Sequence, residues 1–397
     1  MSQGRADRSL GEGTSLYVHV PFCVVKCGYC DFNSYVVDDR SVHDRFLDAL
    51  DAELEERWLD GPPVSVFVGG GTPTLLDPPR LQRLFDVLGR HVDLPSCPEV
   101  SMEANPESLT EEKAGLARAA GVRRFSMGVQ TFHAHHLRFL DRAHTAERAE
   151  AAFASARAAG FDNISVDLMF GIPGETVDEW ESDLERALAL RPDHLSCYNL
   201  TFERGTRLHR DMKRGAVEPN DQEVDRRMFL LTRERVARAG FSAYEISNFA
   251  GRGGPCRHND HYWMQGGYVG VGPGASSHRA GVRVTNLKAV DAWAAAALAR
   301  VPCAATAETL RPTQRAAEAL WLGIRRAEGI DVAAIAERLA LPVERLFRST
   351  VDKHVAAGLV RRVDSRVALT PEGLLVADGV GGDYLEVALP DARQNRP

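Results

Sequence analysis

Three closely spaced cysteines, Cys23, Cys27 and Cys30, are the residues of this chain best suited to chemistry. Their pattern, Cys-x3-Cys-x2-Cys, lies in the run from Tyr17 to Phe32. Thiolates are soft ligands and suit iron–sulfur clusters. A four-iron cluster normally takes four cysteines, so three leave one iron open to a small molecule. Structural zinc is the alternative, but it needs a closed set of four ligands. His19, on the strand before the loop, is a poor fourth. The cluster is the preferred reading. Cys97, Cys197 and Cys303 are scattered and read as small buried hydrophobes.

Other chemistry-bearing residues are spread along the chain: Tyr17, the run Gly69-Gly70-Gly71-Thr72-Pro73, Glu103, Gln130 and Asp167. The elements that must position them come next. Ser15–Val20, Val64–Val68, Glu99–Ala104, Arg124–Gln130, Ile164–Phe170 and Leu195–Leu200 read as strands. Ser41–Leu59, Pro79–Val92, Leu109–Ala120, Thr145–Ala159 and Val177–Leu190 read as helices. Six strands alternating with helices predict βα units and a parallel sheet. Repeated right-handed crossovers curl such a sheet toward a barrel, and six strands leave it open on one side. Composition alone equally suits a doubly wound sheet. Each singled-out residue falls on a strand or at its carboxyl end, where parallel α/β sheets build their sites. Each also has a bland reading: Glu103 could cap the helix after Asn105-Pro106, and Asp167 could satisfy backbone groups.

The cysteine spacing just after a first strand resembles the radical S-adenosylmethionine (SAM) family. The wider string, with Tyr17, Pro21, Tyr29 and Asp31-Phe32-Asn33-Ser34, is similar to its branch holding oxygen-independent coproporphyrinogen III oxidase and the heme chaperone HemW. The resemblance implies a [4Fe–4S] cluster on Cys23, Cys27 and Cys30, with SAM chelated by the open iron. It favours the six-unit partial barrel, (β/α)6. By the same resemblance, Tyr17, Tyr29, Gly70, Gly71, Thr72, Glu103, Gln130, Arg142 and Asp167 correspond to SAM-contacting positions. Carboxylates suit the ammonium and ribose hydroxyls of SAM, and an arginine suits its carboxylate.

Residues 255–278 combine Cys256, His258, His261, His278, aromatics and repeated glycines. Cys256, His258 and His261 could form a zinc half-site, but no partner pair follows at zinc spacing. His258-Asn259-x-x-Tyr262-Trp263 resembles the pattern of the HemW branch. There the histidine is a candidate axial ligand of heme, with Tyr262 and Trp263 lining a pocket for it. The alternative is a buried histidine bonded to backbone, with both aromatics in the core. The glycine-rich stretch to Gly274 is expected to return to the barrel mouth.

Beyond Thr285 the composition turns Ala-rich. Gln314–Arg326, Val332–Leu339 and Val343–Ala357 read as helices. Gly358–Arg362 and Arg366–Leu369 read as a hairpin, and Thr370–Val380 as a further helix. The expected layout is a flexible leader (1–13), the barrel with its heme-motif extension (14–290), a small α+β winged-helix-like C-terminal domain (305–382) and a loose tail (383–397). That domain suits a lid or partner surface better than DNA, because Arg361-Arg362 is too small a basic footprint.

A net charge of −7 in 397 residues argues against nucleic acid as the main partner. No apolar run approaches the ~20 residues of a membrane span. The polar N-terminus lacks the apolar core of a signal peptide, so the expected location is the cytoplasm. Two functions follow from the resemblance. One is a heme chaperone of the HemW type, which takes up heme and delivers it to an unidentified acceptor protein. The alternative is an enzyme of porphyrin biosynthesis, an oxidative decarboxylase of coproporphyrinogen III. The oxidase branch carries a further cysteine two positions after the third ligand and a longer N-terminal extension. Here that position is Phe32 and only 16 residues precede Tyr17, which favours the chaperone.

Overall fold

The computed structural model describes residues 11–58 and 61–388. Most of the expected leader and the end of the expected tail lie outside the described residues.

The first half of the chain is built from strand–helix repeats. In order these are β1 (Thr14–Val20), α1 (Arg40–Arg57), β2 (Val66–Gly70), α2 (Pro78–His91), β3 (Val100–Ala104), α3 (Glu111–Ala120), β4 (Arg124–Gln130), α4 (Ala134–Phe139), α5 (Ala146–Ala158), β5 (Ile164–Phe170), α6 (Val177–Ala189) and β6 (His194–Asn199). The six strands pair in parallel, each with the next. In β3 to β6 apolar residues that pack in the core alternate with polar ones such as Glu103, Ser126, Asp167 and Ser196, which line the interior cavity. Five of the helices begin on a capping side chain: Asp39, Asp77, Thr110, Thr145 and Thr176 each accept a first-turn N–H.

The middle of the chain extends this sheet from both edges. After α7 (Arg207–Lys213) and α8 (Gln222–Arg238), two short antiparallel strands, β7 (Ser242–Ala243) and β8 (Asn248–Ala250), close the β6 edge. The helix α9 (Arg257–Trp263) follows, then β9 (Gly267–Val271), which pairs in parallel with β1. The glycine-rich stretch therefore does not simply line the mouth: it supplies a seventh parallel strand. Then come β10 (Ser276–Arg279), β11 (Val282–Asn286), α10 (Val290–Leu298) and β12 (Ala304–Thr309). The sheet runs β12-β11-β10-β9-β1-β2-β3-β4-β5-β6-β8-β7. Neither end strand of the parallel core is left as a bare edge open to pairing.

The C-terminal domain holds α11 (Pro312–Gly323), β13 (Ile330–Asp331), α12 (Val332–Leu339), α13 (Val343–Ala356), β14 (Val360–Val363), β15 (Arg366–Leu369), α14 (Pro371–Leu374) and α15 (Ala377–Val387). Its small sheet is ordered β13-β15-β14, and its separate core includes Leu320, Phe347, Val351 and Tyr384. The stretch 370–380 is not one helix. It breaks at Leu375-Val376, where Gly373 packs against the Leu359 carbonyl so closely that a Cβ would sit 1.9 Å from it. Nor does a loose tail start at Asp383. The helix α15 runs on to Val387 because Tyr384 is wholly buried in the core. A bidentate pair from Arg326 to Asp260 (2.6 and 3.1 Å) ties this domain to α9.

Candidate functional site

The carboxyl ends of the parallel strands open into a cavity of about 1100 Å³. Cys23, Cys27 and Cys30 stand at its rim on the loop after β1, and Tyr29, Gly70, Gly71, Thr72, Glu103, Gln130, Arg142 and Asp167 line it. Of the SAM candidates, only Tyr17 is absent from the lining. Its hydroxyl bonds His19 Nδ1 (2.9 Å) and its ring packs on Phe67.

The glycine run is shaped by close approach rather than by open N–H groups. A Cβ on Gly70 would lie 2.2 Å from the His19 ring, and one on Gly71 would lie 2.7 Å from the Val20 and Phe22 carbonyls. Gly70 N–H donates to Glu103 Oε2 (2.8 Å), Gly71 N–H to Val20 O (2.8 Å) and Thr72 N–H to Phe22 O (2.7 Å). With these donors occupied, the run offers a ligand its carbonyl oxygens, which suit an ammonium group. His19 is also committed. Its Nε2 meets the Asn33 carbonyl (2.8 Å), so that nitrogen carries the proton and Nδ1 accepts from Tyr17. It is no fourth ligand. It pins the cysteine loop to β1.

Arg142 is half-buried behind the loop. It donates to Gly128 O (2.6 Å) and Asn105 Oδ1 (3.0 Å) and reaches Cys27 Sγ at 3.7 Å. Burial opposes its charge, but Tyr29, Cys27 and Glu107 outweigh that and hold its pKa above the usual value. Its Nε is buried without a partner. Thr72 Oγ1 donates to Cys23 Sγ (3.7 Å). Burial pushes the Cys23 thiol up, and that of Cys30 to about 11, against the lowering charges of Arg142 on Cys23 and Lys26 on Cys30. Glu103 is raised to about 7, chiefly by burial and further by Asp167, against the bond from Gly70. Asp167 accepts from Ser126 (2.8 Å) and Ser165 (2.8 Å). Gln130 ends β4 at a bulge with φ +69°, a left-handed conformation unusual for a residue with a side chain.

These residues fit the cofactors implied by the resemblance. Three thiols share one loop, and the other four cysteines are buried elsewhere. The cavity has room for a nucleoside, and Arg142, whose Nε is without a partner, is among its lining residues.

Of the second motif only Asn259 lines the cavity; His258, Tyr262 and Trp263 do not. His258 lies at the opposite, amino end of the barrel, its Nδ1 bonded to Ser65 Oγ (2.9 Å) and its ring against Phe67. Burial, then the charges of His261 and Arg124, pull it down to about 3, so it is a neutral imidazole. Tyr262 is exposed beside Tyr268, and Trp263 sits under the Arg325 guanidinium. Nor do Cys256, His258 and His261 converge on a zinc site. Cys256 Sγ contacts Glu99 (3.4 Å), and His261 is bonded to Gly11 N–H (3.1 Å) and the Gly267 carbonyl (2.9 Å).

Sequence reasoning missed several lining residues. Asn105, Ser126 and Ser196 follow from strand alternation and from the carboxyl-end rule. Asp225 of α8, and Leu375 and Asp378 of the C-terminal domain, arrive only through tertiary packing and leave no local signal.

A three-thiol loop over the carboxyl edge of a parallel half-barrel, beside a Gly-Gly-Thr-Pro turn, is the arrangement of radical SAM proteins. Residues 17–187 match the Radical SAM superfamily, and residues 310–376 match the HemN C-terminal domain. The heme chaperone HemW of Mycobacterium tuberculosis is 38% identical over 93% of this chain and 94% of its own length. HemW of Bacillus subtilis is 35% identical over 94% and 99%. The chain belongs to the HemW family of radical SAM proteins. Coproporphyrinogen III oxidase (HemN) from Escherichia coli shares the fold, with a TM-score of 0.81 at 22% identity over 94% of this chain and 90% of that one.

Proposed function

We propose that this chain is a heme chaperone that carries a [4Fe–4S] cluster on Cys23, Cys27 and Cys30, binds SAM in the adjoining cavity and passes heme to an acceptor protein. The observation that carries the reading is the three-thiol rim with Phe32 where the oxidase pattern has a further cysteine. Phe32 is 57% exposed, and Val24, Val25 and Val36 are exposed along the same segment. An apolar rim of this kind suits a flat macrocycle or the surface of a partner.

When bound, the cluster supplies an open iron for the amino and carboxylate groups of SAM and an electron for its sulfonium. The residues of the chain do the rest. Carbonyls of the glycine run accept from the ammonium, Glu103 and Asp167 accept from the ammonium and ribose hydroxyls, and Arg142 Nε donates to a ligand oxygen. Leu374, Leu375 and Val376 wall the cavity on the C-terminal side and exclude water. The heme itself docks on the apolar rim. Ser65 holds His258 Nδ1, so ligation of heme by this residue would use Nε2 and would require heme to reach the amino end of the barrel.

The test is made on anaerobically reconstituted protein. Heme is titrated by its Soret band, and coproporphyrinogen III is offered with SAM and a reductant. Stoichiometric heme binding without decarboxylated product is the expected result. Decarboxylated product would make the chain an oxidase and overturn the meaning given to Phe32.

A further inference from the structure

Away from the cavity, α4 and the first turn of α6 bring together a group of metal-ligating side chains. Nitrogen atoms of His135 and His136 and a carboxylate oxygen of Glu179 all lie within 4.8 Å of one another. His135 Nε2 is 3.1 Å from Glu179 Oε1, and His136 Nε2 is 3.6 Å from Glu179 Oε2. Two features argue against a plain histidine–carboxylate pairing. First, the His136 side chain is only 3% exposed, yet its Nε2 has no hydrogen-bond partner. A buried nitrogen left bare in this way needs an explanation. It points at the carboxylate from beyond hydrogen-bond distance, the spacing that two ligands of one ion adopt.

Second, the carboxylate is held in place before any ion arrives. Glu179 Oε2 accepts from Thr176 N–H (2.9 Å) and Thr176 Oγ1 (2.9 Å) in a capping box at the start of α6. His133 is held by the same turn, with Nε2 3.1 Å from the Glu179 carbonyl. His135 closes the group from the solvent side and is 53% exposed, which gives an ion a way in and leaves room for water as a fourth ligand.

We propose that His135, His136 and Glu179 form a binding site for a divalent transition-metal ion of the zinc class. Two imidazoles and one carboxylate are borderline ligands that suit such an ion over calcium or magnesium. Metal–nitrogen distances near 2.0–2.1 Å require only a small closing movement of these side chains. The ion would clamp α4 to α6. The segment from β4 to Arg142 runs through α4, so the clamp would stiffen the stretch between Gln130 and Arg142. The site is independent of the three cysteines and of the proposed heme function.

Zinc binding is measured by equilibrium dialysis on the cluster-loaded chain, with zinc X-ray absorption to read the ligand atoms. One zinc per chain with only nitrogen and oxygen neighbours is the expected result. His135→Ala, at a half-exposed position that leaves the fold intact, weakens that zinc at least about tenfold. His136→Ala does the same, with circular dichroism checking that the chain is folded. Equal zinc binding in wild type and His135→Ala, no zinc in either, or a sulfur-ligated zinc each overturns the proposal.

Discussion

The two ends of the half-barrel carry similar residue types and put them to different uses. At the amino end several polar groups are matched inside the protein, although Arg124 Nε and Nη1 at the start of β4 and Asn163 Oδ1 just before β5 are buried without partners. Ser15 bonds Ser65 (2.9 Å) and Ser65 bonds His258. Glu99 caps α9 by accepting from Arg257 N–H (2.8 Å) and His258 N–H (3.1 Å). At the carboxyl end the matching is incomplete around the cavity. Arg142 Nε and Asp225 Oδ1 are buried without partners, Glu103 is held near pH 7, and Gln130 sits in a strained conformation. Unsatisfied polar groups that line a cavity with room for a ligand mark where one belongs. The difference makes α9 a plug at the closed end and the cysteine loop the working end.

The sharpest test removes the working end. Cys23→Ser, Cys27→Ser or Cys30→Ser should abolish the cluster, because two thiolates hold it weakly. Iron and sulfide analysis of the reconstituted variants checks this, and full iron content would refute the assignment. The closed end should respond in the opposite way. Glu99→Ala leaves two backbone donors of α9 unmatched and should cost about 2–4 kcal/mol of stability. Iron content should stay normal while the urea midpoint falls. Iron lost from Glu99→Ala at a temperature where it is folded would break the division between the ends.

How far each end was legible in the sequence follows from the kind of signal involved. The six strands of the half-barrel were readable because each is a short run of largely apolar, often β-branched residues, set off by helical stretches at βα spacing. The cysteine loop was readable because ligand spacing is local. The strands β9 to β12 were not, and β12 shows why. All its side chains are exposed, so it is a strand only because β11 pairs with it. The types in the His258–Trp263 motif were legible, but their directions were not. A seven-residue helix capped by a distant glutamate turns His258 inward and Tyr262 outward, which no spacing rule anticipates. The left-handed Gln130 is likewise invisible until the bulge in β4 is seen.

The raised carboxyl of Glu103 gives a prediction about pH. If Glu103 meets the ammonium or the ribose of SAM, it must be ionised to do so. The free protein holds that proton up to about pH 7, so SAM binding releases it. SAM affinity should be flat above about pH 7 and fall toward about tenfold per unit below it. The sign follows from the direction of the shift: an acid raised by burial is protonated on the low-pH side, where the ligand must displace the proton. Glu103→Gln should bind SAM more weakly and lose this slope. Isothermal titration between pH 5.5 and 8.5 measures both. A slope that survives in Glu103→Gln would assign the proton to another group.

The smallest expected effect separates the rim from α9 as the heme-contacting region. Phe32 is exposed, and the bonds that order its surroundings use its backbone: its carbonyl accepts from Ser34 N–H (2.8 Å) and Lys26 Nζ (3.1 Å). Phe32→Ala therefore keeps the loop and the cluster and removes only apolar area. If heme covers that ring, partial burial of a phenyl group at about 25 cal/mol per Å² amounts to roughly 1 kcal/mol, or about fivefold in affinity. His258→Ala should leave the Soret titration unchanged while lowering stability, since its imidazole is engaged with Ser65 and Phe67. The reverse outcome, with heme binding lost in His258→Ala and untouched in Phe32→Ala, would mean that heme reaches the amino end of the barrel, and the end called closed here would be the one that carries the cargo.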